Sequence, residues 1–259
     1  MDRLRAILFE AFLWLSVVGY GTLILLLAPW GSRQRLTALS LHWQRTVLWA
    51  LRRLCRIEHR VRGRAHLHVG RGQLVLSNHQ STWETIALGS ILPLPQTWVM
   101  KQELLRLPFF GWALSLFEPI AIDRSAGRRA MKQLLAVGAE RLARGHCLVI
   151  FPEGTRVAPG ESKRFGLGGA ILAARTGVPV VPIAHNAGCF WGRHQLRKRA
   201  GMIDVVIGPP IETQGLSAQE INQRVEAWIR TTTRSLAEHA IDSARARHER
   251  GARIGRSSG

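Results

Sequence analysis

The sequence predicts an α/β domain, a central mixed, largely parallel sheet flanked by helices, with an N-terminal membrane-associated helical pair in front of it. Three observations carry this. Short apolar runs bounded by turn residues alternate with longer segments of near-3.6 periodicity, the element order of an α/β fold. Segment 11–30 has no charged residue and is about as long as a bilayer is thick. Segment 33–56 then repeats apolar residues on one face and arginines on the rest. A chain of 259 residues suits one such domain plus a small extra element.

The N-terminal unit spans 1–56. After a short charged lead, the apolar helix 11–30 places Trp14, Tyr20 and Trp30 where aromatic rings settle at a membrane interface. A signal peptide with Arg3 and Arg5 as its basic region is the alternative, but no small-x-small cleavage site follows Leu27. In the basic helix 33–56, Leu36, Leu39, Trp43, Val47, Leu51 and Leu54 fall near one face. Arg33, Arg35, Arg45, Arg52, Arg53 and Arg56 supply a cationic complement, read either as a contact for an anionic membrane or as a solvated face packed on the domain. The positive excess after the apolar helix puts the following domain on the cytoplasmic face of an inner membrane.

The α/β domain is expected over 57–244. Strands are expected at 57–62, 74–76, 97–100, 120–122, 147–151, 178–183 and 203–207, and helices at 83–92, 127–144, 167–176 and 217–240. Residues 108–112 read as an exposed apolar turn. Residues 245–259 are basic and lack apolar periodicity, and read as a disordered tail.

Composition narrows the partners. Lys and Arg number 36 against 17 Asp and Glu, a net charge of +19, which expects a polyanion: nucleic acid, an anionic membrane or phosphorylated substrates. Nucleic acid is disfavoured because Trp and Phe lie in apolar runs, not interleaved with the basic residues. Cys55, Cys147 and Cys189 are odd in number and far apart, so they make neither a disulfide framework nor a metal site. No cofactor motif is present; the glycines at 166–169 lack the strand and spacing of a nucleotide loop.

In open α/β sheets, sites form beyond the carboxyl ends of the strands. The run Leu74–Leu76 ends in Ser77-Asn78-His79-Gln80-Ser81-Thr82-Trp83-Glu84. His79 has the near-neutral intrinsic pKa that proton transfer needs. Glu84 could orient its imidazole if His79 sits in the turn and Glu84 in the first turn of the next helix, because i and i+5 point apart within one helix. The same residues read as a capping box, with Ser81 as N-cap and Glu84 reaching back. Other strand ends carry Lys101, Asp123-Arg124 and Glu153-Gly154-Thr155-Arg156. Gly154 allows close backbone approach to an anion, Arg156 offers a planar fork for phosphate, and Lys101 a point charge. Glu153 also fits a plain turn brace, and Arg124 and Arg156 also fit ion pairs with Asp123 and Glu153. Ser77 and Ser81 suit turn and cap roles, and no Gly-x-Ser-x-Gly elbow is present, so direct activation of a substrate hydroxyl is favoured over a covalent route.

Together these stretches resemble the glycerolipid acyltransferase family. Asn78 through Glu84 is similar to its N-H-x4-D box, with Glu84 in place of Asp. Lys101-Gln102-Glu103-Leu104 through Ile122-Asp123-Arg124 resembles the second block, Phe151-Pro152-Glu153-Gly154-Thr155-Arg156 the third, and Val178-Pro179-Val180-Val181-Pro182-Ile183 the fourth. The likeness covers roughly 74–211 and is nearest to the 1-acyl-sn-glycerol-3-phosphate acyltransferases. It implies His79 as general base and Glu84 as its orienter. It implies Asn78, Lys101, Arg124, Glu153, Gly154, Thr155 and Arg156 as acceptor-binding residues. It further implies a lysophosphatidic acid-type acceptor, an acyl-CoA or acyl-carrier protein donor, attachment to an anionic membrane, and no cofactor or metal. Other acceptors with the same chemistry are a lyso-ornithine lipid, another lysophospholipid or glycerol 3-phosphate. A non-enzymatic basic membrane-binding protein is the reading from another class.

Overall fold

In the computed structural model, residues 2–193 and 195–257 are described, with side chains for 3–123, 125–193 and 195–242. Among the described residues seven α-helices and seven strands follow one another, with short 3-10 turns between some of them: α1 (Asp2–Leu27), α2 (Arg33–Cys55), β1 (Ile57–Arg62), β2 (Gln73–Ser77), α3 (Trp83–Ile91), β3 (Gln96–Lys101), α4 (Phe110–Ser115), β4 (Ile120–Ile122), α5 (Arg128–Ala143), β5 (Cys147–Ile150), α6 (Gly168–Thr176), β6 (Val180–His185), β7 (Gly201–Ile207) and α7 (Ala218–Ser257).

The strands form one mixed sheet in the order β1-β7-β6-β2-β5-β3-β4. Every pairing is parallel except β6 with β7. Buried on both faces, β2 and β5 lie at the centre, and their side chains alternate between two cores. Val75 and Val149 point into one core with α2 and α3, while Leu74, Leu76, Leu148 and Ile150 point into the other with α5, α6 and the first part of α7. The reactive turns after β2 and β5 are therefore neighbours at one sheet edge, because the strands that carry them are paired in parallel.

The N-terminal helices are not separate from this core. Val47, Ala50, Leu51 and Cys55 of α2, and Phe9 and Leu13 of α1, belong to the same apolar cluster as Val75 and Trp83. The boundary expected at residue 56 thus runs through a single core. Helix α1 starts at Asp2 and takes in the charged lead, where Glu10 pairs with the buried Lys198. The ammonium of Lys198 also lies 4.7 Å from the Trp191 ring centre.

Two further expectations change. Residues 108–112 are a docked element, not a bare turn: Phe109 adopts φ +59°, and α4 packs where the small Gly21 of α1 lets the Phe109 backbone approach. Trp112 and Leu107 still keep nearly half their surface exposed. Helix α7 runs on well beyond residue 240, in keeping with the good helix formers Ala, Arg and Glu there. The side chains of 243–259 lie outside the described residues, and the backbone of 245–257, expected as part of a disordered tail, belongs to α7.

Candidate active site

The turn between β2 and α3 brings His79 and Glu84 together as the spacing requires. His79 stands outside the helix and Glu84 on its first turn, with Nδ1 of His79 2.8 Å from Oε1 of Glu84. A carboxylate oxygen only accepts, so Nδ1 carries the proton and Nε2 is left with a lone pair. Among the described residues Nε2 has no protein partner. The imidazole stacks on Phe151, ring centres 4.3 Å apart and planes 16° from parallel, and 16% of the side chain is exposed. It is thus fixed in orientation yet reachable.

The cap and the pair turn out to be one device. Oε1 of Glu84 also accepts the main-chain N–H groups of Gln80 and Ser81, both at 2.7 Å, while Oγ of Ser81 accepts from Trp83 N. Burial alone would raise the Glu84 carboxyl. His185 and His79 beside it, together with the N–H group of Ser81, outweigh burial and hold it below its ordinary value. Glu84 is a buried carboxylate anion held by its hydrogen bonds.

The segment after β5 grips the main chain of His79 at both ends. Oε2 of Glu153 accepts from His79 N at 2.8 Å, and Val157 N donates to His79 O at 2.8 Å. Glu153 is therefore a brace of the His79 turn. Burial, opposed by that hydrogen bond, pushes its carboxyl up to about 7. Gly154 sits at φ +70°, where a side chain would be strained, and its N–H closes on Phe151 O. Thr155 is half-buried beside it. Arg156 is half-buried too, and burial, its largest influence, lowers its pKa, while the Glu84 carboxylate within electrostatic range raises it. No ion pair within 4.0 Å joins Arg156 to Glu153 among the described residues.

The remaining residues named from sequence fall into two groups. Lys101 is exposed at the carboxyl end of β3, two strands from β2, or about 10 Å across the sheet. Asp123 accepts from the N–H and hydroxyl of its own neighbour Ser125, and so caps a turn. The side chain of Arg124 lies outside the described residues. Asn78 is buried and tied to the neighbouring strand. Its amide donates to His185 O at 2.9 Å and accepts from His185 N at 3.0 Å, and 2% of it is exposed. These bonds lock the end of β2 to β6. Ser77 and Ser81 keep the local roles expected of them: Oγ of Ser77 donates to Asn78 O.

His185 is the residue that sequence reasoning missed. It ends β6, beside β2, and is fully buried. Its Nε2 is 2.9 Å from Asn78 O, a pure acceptor, and its Nδ1 accepts from Ala187 N at 3.3 Å. The network fits a neutral ring protonated on Nε2, and burial lowers its pKa in the same sense. Nε2 also lies 4.0 Å from Oε2 of Glu84, an atom with no hydrogen bond among the described residues. The rule that marked the other strand ends would have found His185 had the strand been carried past 183.

Comparison with known proteins agrees with this geometry. Residues 58–186 match the family model described as Acyltransferase. The chain is 44% identical over 237 residues to the 1-acyl-sn-glycerol-3-phosphate acyltransferase of Pseudomonas aeruginosa, covering 90% of this chain and 91% of that one. It is 31% identical over 178 residues to human 1-acyl-sn-glycerol-3-phosphate acyltransferase alpha, covering 68% of this chain and 63% of that one. Its fold is similar to the crystal structure of the 1-acyl-sn-glycerophosphate acyltransferase PlsC from Thermotoga maritima, with a TM-score of 0.76 at 20% identity, covering 91% of this chain and 98% of that one. The chain belongs to the acyltransferase family, in the group of the 1-acyl-sn-glycerol-3-phosphate acyltransferases.

Proposed function

We propose that this enzyme moves a fatty acyl chain from a thioester to the sn-2 hydroxyl of 1-acyl-sn-glycerol 3-phosphate, giving phosphatidic acid. The observation that carries the mechanism is the His79–Glu84 pair with Nε2 of His79 unengaged at the opening of the site. Nε2 takes the hydroxyl proton as the oxygen attacks the thioester carbon. The C–S bond then breaks, and the imidazolium returns the proton to the departing thiolate. Glu84 holds the ring in the right tautomer and stabilises the transient cation. Arg156 and Lys101 hold the phosphate so that the hydroxyl meets His79, with Gly154 and Thr155 giving the close backbone approach, while Glu153 and Asn78 keep the turn rigid. Arg124 completes the phosphate end on the family's pattern.

The donor is acyl-CoA or acyl-carrier protein. Attachment is to the cytoplasmic face of an anionic membrane, and it is monotopic. Residues 3–27 form a helix long and apolar enough to cross a bilayer. Yet α1 touches the domain along its length, with Phe9 edge-on to Trp191 at 5.3 Å and Ile24 packed with Leu36 and Ala113. A helix held at both ends of its length by the catalytic domain lies along the surface, leaving Leu8, Trp14, Leu15 and Leu26 for lipid.

The test is acyl transfer by the purified full chain, offering both donors to 1-acylglycerol 3-phosphate, a lysophosphodiester, a lyso-ornithine lipid and glycerol 3-phosphate. Phosphatidic acid should be the dominant product, and its absence with both donors would overturn the reading. Arg156→Lys should raise acceptor KM and lower kcat, because the bidentate fork is lost, with donor KM unchanged.

A further inference from the structure

The segment after β6 folds over the Arg156 turn and carries a second guanidinium to it. Gly188 N donates to Oε1 of the buried Gln80 at 3.1 Å, and any side chain at Gly188 would strike Pro159 and Gln80. The segment is clamped at its base, since Trp191 N bonds Ala187 O and Arg199 N bonds Phe190 O. Arg193 rises from this base, and its Nη1 donates to Arg156 O at 3.4 Å. The two arginines are thus neighbours, and the charge of Arg193 acts on Arg156 to lower its pKa.

Among the described residues, no carboxylate lies within 4.0 Å of either guanidinium. Two arginines whose charges act on one another across one turn, neither paired with a carboxylate within 4.0 Å among the described residues, suit an external anion with more than a single negative charge. A phosphomonoester carries close to two near pH 7, whereas a phosphodiester carries one. Arginine forks match its oxygens geometrically. The 3′-phosphate of a CoA donor is also a monoester, but it lies at the far end of the pantetheine arm from the thioester. The phosphate of the acceptor is one short glycerol unit from the hydroxyl that must reach His79, and Arg156 lies within electrostatic range of Glu84, the partner of His79.

We propose that Arg193 joins Arg156 in binding the acceptor's phosphomonoester and so sets the preference for a dianionic headgroup. This rests on the acceptor reading given above. The experiment varies each substrate separately for wild type, Arg193→Gln and Arg193→Lys, using the full chain, 1-acylglycerol 3-phosphate as acceptor, and a lysophosphodiester as competing ligand. Arg193 is exposed, so thermal unfolding of the variants should match wild type. For Arg193→Gln, acceptor KM should rise roughly tenfold, with donor KM unchanged and inhibition by the diester little altered. Arg193→Lys should fall between, keeping the charge without the fork. An acceptor KM within about twofold of wild type would overturn the proposal. So would a loss confined to kcat, the mark of a mere prop for the Arg156 turn, or a rise confined to donor KM. Failure of wild type itself to acylate 1-acylglycerol 3-phosphate would instead bring down the acceptor assignment, which separates the two.

Discussion

Nδ1 of His79 stands 2.8 Å from Oε1 of Glu84, and that one oxygen also accepts two main-chain N–H groups of the same turn. Orientation of the imidazole and capping of the helix therefore rest on a single atom, and mutations at Glu84 can separate them. Glu84→Gln keeps an acceptor for the cap but removes the charge that steadies the imidazolium. Its kcat should fall on the order of 10²-fold with little change in thermal unfolding. Glu84→Ala leaves three donors facing a buried void and should destabilise the fold, by about 1–3 kcal/mol for each donor left unpaired. His79→Ala should cost on the order of 10² to 10⁴ in kcat while the circular dichroism spectrum stays unchanged. Retention of more than about a tenth of wild-type kcat would remove His79 from the role of base.

Glu153 links stability to pH with a definite sign. Burial raises its folded pKa from 4.5 to about 7, so between these values the folded chain holds a proton that the unfolded chain has released. Its contribution to stability is therefore full below about 4.5 and falls as pH rises to about 7. Glu153→Gln keeps the acceptor for His79 N without the ionisation. The variant should be more stable than wild type at pH 8, by about 1–3 kcal/mol, and similar at pH 4.5. Urea unfolding at the two pH values measures this. A constant difference between variant and wild type across the range would show that Glu153 does not titrate as described.

His185 should prove a positioning residue. Replacing it with Phe keeps the bulk but strands Asn78 O and Ala187 N, each its hydrogen-bond partner now. A stability loss of about 2–4 kcal/mol is expected, with kcat reduced because the strand end behind His79 slackens. Acceptor and donor KM should stay near wild type. Chemical denaturation together with steady-state kinetics reads both effects.

The membrane face can be tested without touching the core. Trp14 and Leu15 are 64% and 73% exposed, whereas Phe9 of the same helix is fully buried. Trp14→Asp with Leu15→Asp should sharply reduce sedimentation with anionic phospholipid vesicles while leaving thermal unfolding nearly unchanged. Phe9→Asp should unfold the protein instead, because it places a charge in the main core. Removal of residues 1–56 is no clean test, since Val47, Ala50 and Leu51 would leave that core open. Undiminished vesicle binding by the double variant would place the membrane contact elsewhere.

By itself, the sequence determined the elements and the order of the reactive turns. Hydrophobic periodicity is a local property, so β2, β5 and the helices α3 and α5 between them were legible to within a few residues, while the short α4 was read as a turn. The His79–Glu84 spacing needs only a turn followed by a helix, again a local matter, and it held. What only the tertiary structure decided is how distant segments share atoms. The parallel pairing of β2 with β5 turned Glu153 into a brace on His79 N, and the pairing of β2 with β6 closed Asn78 onto His185. The fold over Pro159 set Arg193 beside Arg156, and the packing of α1 and α2 into the main core merged two units that composition had separated. In each case the partners lie dozens of residues apart. Neither periodicity nor spacing reports which buried donor finds which acceptor, because that choice is made by strand order and close packing in three dimensions.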